Sequence, residues 1–175
     1  MKEHNAVRAF SKAEHGIVAV ERGFLFAAMI VLVFSIVIQV ICRYVLKVSS
    51  PWCEELARYL FIAMTFIGSA TAFASGGHIG IDLVDTVVEK HSKQPEKIIG
   101  IFNKLAIVIT IAFMLAFSIF YFDYLLTIGK HPQTSANMKI NMLIPMSSIL
   151  IGSVLMVYHN VCRFFYPYEP EIKTE

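Results

Sequence analysis

The sequence predicts an all-α integral membrane protein with four transmembrane helices and a short amphipathic interfacial helix between the second and third. Three observations support this. The 175 residues are 57% hydrophobic and only 16% charged, whereas soluble domains hold about a quarter of their residues as charges. The charges gather in short clusters separated by long uncharged runs. Four runs, Phe24–Cys42, Tyr59–Gly77, Leu105–Phe122 and Ile140–Cys162, contain no Asp, Glu, Lys or Arg. At about 1.5 Å rise per residue, each suits a hydrocarbon core of about 30 Å.

The elements follow in order as a single membrane domain. Within residues 1–22, Ala6, Phe10, Ala13 and Ile17 recur at i, i+4, i+7 and i+11, the spacing of an amphipathic helix on a membrane surface. The first span, about residues 23–43, is too long for a signal-peptide core and ends without a small-residue cleavage site, so it is expected to be retained. The second span, about 56–76, opens with "SPWCEELARYL". Ser50 suits a helix cap and Pro51 the first helical position. Glu54 and Glu55 then face the positive end of the helix dipole. Arg58, four residues after Glu54, is placed to pair with it, and Trp52 and Tyr59 suit the headgroup level.

Gly76 and Gly77 are expected to end that span. His78, Asp82, Asp85 and Glu89 then recur at spacings of 4, 3 and 4, giving an interfacial helix over 78–90 with an acidic polar face. A lipid-binding helix carries a basic face instead, so this one is expected to face water or protein. The third and fourth spans run over about 98–124 and 140–163, followed by a tail over 164–175. Gly68 with Ala72, and Ser148 with Gly152, are small-xxx-small pairs that let helix backbones approach closely in lipid. Phe61, Ile62 and Phe66, with Phe113, Phe117 and Phe120, form apolar faces for lipid or a membrane partner.

Orientation follows from Lys and Arg. Ten of the 15 flank the termini and the middle loop, while Arg43, Lys47, Arg58, Lys130 and Lys139 lie on the other side. The positive-inside rule places both termini in the cytoplasm. The Arg43–Leu56 and Asp123–Lys139 loops then face the opposite compartment.

The same residues weigh against most chemistry. A proton or ion pathway needs ionisable groups inside the bilayer; the mid-span polar residues are serines and threonines, so Glu54 and Glu55 read as a helix start rather than a coupling pair. His78, Asp82 and Asp85 have no nearby second His or Cys to complete a metal site. Cys42 and Cys53 flank one loop and are close enough in sequence to pair in an oxidising compartment, whereas Cys162 stands apart. His78 and His159 are the residues a haem-bearing redox anchor would use. A stand-alone small exporter is the second alternative. No nucleophile, base and orienting group converge, so an enzyme is not expected.

The run "PWCEELARYLFIAMTFIGSATAFASGGHIGIDLV" resembles the small membrane subunit of tripartite ATP-independent periplasmic (TRAP) transporters. Trp52, Glu54, Glu55, Arg58, Gly68, His78, Ile79 and Asp82 carry the resemblance, and the four-span layout extends it over almost the whole chain. The stretch before His78, "FASGG", departs from the family, which often has an arginine there. The resemblance implies a bacterial inner-membrane scaffold subunit without cofactors of its own. Its partners are then a large membrane subunit that carries the substrate and sodium sites, a periplasmic substrate-binding protein and membrane lipids, and not nucleic acid. It implies uptake of an organic acid, a dicarboxylate or a sialic acid, with overall similarity leaning toward the latter. Arg43, Lys47, Lys130, His131 and Lys139 become candidates for docking the binding protein.

Overall fold

A computed structural model describes residues 2–74 and 95–165, with side-chain environments for residues 14–74, 98–102 and 104–164. The expected interfacial helix over 78–90, with His78, Asp82, Asp85 and Glu89, lies outside the described residues, as does nearly all of the C-terminal tail. Among the described residues there are four helices: α1 (Lys2–Tyr44), α2 (Pro51–Ala74), α3 (Pro95–Lys130) and α4 (Leu143–Phe165). Each is long and apolar enough to cross a membrane.

The N-terminal segment is continuous with the first span. No proline interrupts residues 2–44, so α1 extends over 43 residues, about 64 Å at helical rise. Its buried positions Glu21, Ala28 and Ser35 recur every seven residues, the seam spacing of helices packed at a shallow angle. Small side chains on that seam let α2 approach. Beyond the end of the helix the chain turns back on it: Val48 N–H donates to the Cys42 carbonyl at 2.9 Å, and Lys47 takes φ 53°, a left-handed conformation where glycine is usual.

Local chemistry starts the other helices. Pro51 and Pro95 occupy first positions of α2 and α3, where no N–H is required. The Ser50 hydroxyl donates to Cys53 Sγ at 3.3 Å, and its carbonyl accepts the Cys53 N–H at 3.2 Å; the expected side-chain cap is thus replaced by a backbone one. Asn141 caps α4 instead, its Oδ1 accepting the Leu143 N–H at 2.9 Å.

The central pair is α2 and α4, with α1 packed on α2 and α3 on α4. Gly152 of α4 sits directly on α2. A Cβ built there would lie 2.6 Å from Phe66 Cβ and 2.8 Å from the Phe66 carbonyl carbon. Between α3 and α4, Ser118 Oγ donates to Ser153 Oγ at 3.1 Å. Phe66, Phe117 and Tyr121 stack in a ladder with centroid separations of 6.2 and 5.6 Å. Phe66 and Phe117 therefore pack against each other, while Phe61, Phe113 and Phe120 remain exposed.

Candidate functional site

Two polar centres stand at opposite ends of the bundle. The first is at the end bearing the α1–α2 and α3–α4 loops, and it is built on Glu55. That residue is 7% exposed although it lies in the first turns of a helix. Its Oε1 accepts the Tyr59 hydroxyl at 2.7 Å, one helical turn away. Its Oε2 accepts the backbone N–H groups of Asn137 and Met138, each at 2.9 Å.

Those amides belong to a hairpin-like loop. Ser135 N–H donates to the Ile140 carbonyl at 2.8 Å and Met142 N–H to the Gln133 carbonyl at 2.9 Å. Lys139 closes the turn at φ 57°, a conformation costly for a side chain with a Cβ. Charge-assisted acceptance of two turn amides by one carboxylate ties the loop to the start of α2.

The two glutamates of the motif thus do different work. Glu54 pairs with Arg58 at 3.1 Å on the surface, both side chains more than half exposed. Such pairs contribute about 0.3–0.5 kcal/mol. Glu55 joins segments 82 residues apart. Replacing Glu55 by alanine is expected to release the 133–142 loop, read as faster amide exchange at Asn137 and Met138, with α2 still helical. Glu55→Gln keeps one carbonyl acceptor and is expected to retain most of that protection.

The second centre lies at the other end, and the sequence reading missed it. Glu21 of α1 is 4% exposed, His159 of α4 is 0% exposed, and the two are 3.0 Å apart through Oε1 and Nε2. Thr71 of α2 donates its hydroxyl to Glu21 Oε2 at 2.9 Å. Glu14, two turns before Glu21, faces His159 Nδ1 at 3.7 Å. Three helices therefore meet at one carboxylate. Both imidazole nitrogens face carboxylates, surroundings opposed to an axial iron ligand, and the other proposed haem histidine, His78, lies outside the described residues. The signal was present in sequence: Glu14 and Glu21 are seven apart on one helical face, and His159 sits within an apolar span.

The remaining sequence candidates distribute as follows. Trp52 is half exposed, and Arg43, Lys47, Lys130, His131 and Lys139 are exposed around the loop end. Gly68 faces Leu25 of α1, its hypothetical Cβ 3.7 Å from Cδ2. Ala72 is exposed, and Ser148 is half-buried with its hydroxyl donated to the Pro145 carbonyl at 2.7 Å. Cys42, Cys53 and Cys162 are all free thiols, so the contemplated pairing of the first two is not formed.

Four apolar helices locked by short polar contacts define a small multi-pass helical membrane protein. Residues 23–168 match the family described as "Tripartite ATP-independent periplasmic transporters, DctQ component". The chain belongs to that family, and so is a small permease subunit of a TRAP-type transporter in the inner membrane. It is similar to the "Sialic acid TRAP transporter small permease protein SiaQ" of Vibrio cholerae serotype O1 (strain ATCC 39315 / El Tor Inaba N16961). Identity is 29% over 133 residues, covering 73% of this chain and 69% of that protein.

Proposed function

We propose that this chain is the static scaffold of a sodium-driven importer of an organic acid. It packs against the large membrane subunit, and its loop end helps to dock a substrate-binding protein. One observation supports the scaffold reading: both buried carboxylates among the described residues, Glu21 and Glu55, are engaged in holding segments of this chain together. Neither is left to carry an ion. In this reading substrate and sodium sites belong to the large subunit, and both termini are cytoplasmic. The similarity to a sialic-acid relative favours a sialic acid as the cargo.

The loop end suits docking because Glu55 fixes the second loop, presenting Lys130, His131 and Lys139 on an ordered support. Exposed charges of this kind act mainly on association rate with an acidic partner surface. Co-expression with the neighbouring large subunit tests the proposal. The two chains are expected to co-purify, and deleting this chain is expected to abolish uptake. Uptake that survives deletion, with no co-purification, overturns it.

A further inference from the structure

A cleft of about 370 Å³ opens at the loop end between the C-terminus of α1 and the start of α2. Gln39, Arg43, Lys47, Ser49, Ser50 and Glu54 line it. We propose that this cleft binds the headgroup of one membrane phospholipid, with the phosphodiester held by Arg43 and Lys47 and an ethanolamine amine directed toward Glu54.

The charges sort by side. Arg43 and Lys47 come from α1 and the turn after it, and among the described residues no carboxylate lies within ion-pair distance of either. Arg43 is oriented by Tyr44, its guanidinium carbon 5.8 Å from the ring centroid. Glu54, on the α2 side, is held by Arg58. A phosphodiester matches the two cations and the Ser49 hydroxyl, and the positive end of the α2 dipole adds to them. The carboxylate across the cleft disfavours a second negative charge and suits an ammonium.

The backbone at Lys47 provides a control. Its φ of 53° is left-handed, where glycine is free of the steric penalty that a Cβ brings. The surroundings fit an acyl chain as well. Val40 and Tyr44 are 48% and 71% exposed on the adjoining face of α1, and helix ends with aromatic rings lie at the headgroup level.

Native mass spectrometry of the full chain, extracted from bacterial membranes in mild detergent, tests the site. The protein is expected to retain one phospholipid and to prefer an ethanolamine over a glycerol headgroup. Arg43→Gln and Lys47→Gln are each expected to weaken retention roughly fivefold, and the double variant about 25-fold. Lys130→Gln, an exposed cation outside the cleft, is expected to leave it unchanged. Lys47→Gly separates binding from folding: the turn is expected to melt no lower than in the parent while lipid retention still falls.

Equal retention by the parent and the double variant overturns the proposal. Displacement of the lipid by millimolar inorganic phosphate or free phosphoethanolamine also overturns it, since the cleft would then be a site for soluble anions. Indifference between ethanolamine and glycerol headgroups removes the role given to Glu54.

Discussion

His159→Ala is expected to be the most damaging single substitution in the bundle. It removes the imidazole that faces Glu21 at 3.0 Å and leaves a carboxylate 4% exposed with only the Thr71 hydroxyl on its other oxygen. Breaking one side of a buried pair costs about 3–5 kcal/mol, because the remaining charge is stranded away from water. Thermal unfolding in detergent is expected to show the loss directly. Glu21→Gln is milder, since an amide can still accept from Thr71 and meet the imidazole. The double variant Glu21→Leu with His159→Leu is expected to be less destabilised than the sum of its single variants. Additive losses would show that the two side chains act independently, contrary to their geometry.

Gly152→Ala is expected to force α2 and α4 apart. The new methyl would lie 2.6 Å from Phe66 Cβ and 2.8 Å from the Phe66 carbonyl carbon, where carbon atoms prefer about 3.5–4.0 Å. Overpacking of this kind costs about 1–3 kcal/mol. The better helix propensity of alanine returns up to about 1 kcal/mol, so a net destabilisation remains. Gly23→Ala is the control: nothing lies within 4 Å of its Cβ position, and it is expected to leave stability unchanged or raise it. Phe66→Ala does not relieve Gly152→Ala, because the atoms in conflict are the Cβ and backbone that alanine shares. A bundle that tolerates Gly152→Ala without loss would place the two helices farther apart than described.

The four helices were legible because length and apolarity alone decide whether a segment can cross a bilayer. The Glu54–Arg58 pair was legible for a similar reason, its four-residue spacing placing both on one helix face. Glu55 was not: its neighbours in sequence explain a helix start, while its amide partners lie 82 and 83 residues away. In sequence Glu21 is one charge in the polar flank of the first span, and His159 stands out only beside His78, as a ligand of the haem alternative. Only the packing of α1 and α4 on α2 joins groups 138 residues apart. The small-residue pairs divide in the same way. Spacing marked Ser148 and Gly152 as a face, but only the packed structure puts Gly152 on Phe66 and leaves Ala72 exposed.

At Asn137 and Met138, Glu55 holds the second loop through main-chain amides. Such an anchor is indifferent to which side chains those positions carry, so long as neither becomes proline. The exposed surface of the loop is thereby free to change in charge and shape over evolutionary time while its attachment stays constant. Under the proposed docking role, one frame of four helices is matched to different binding proteins by rewriting a few loop residues.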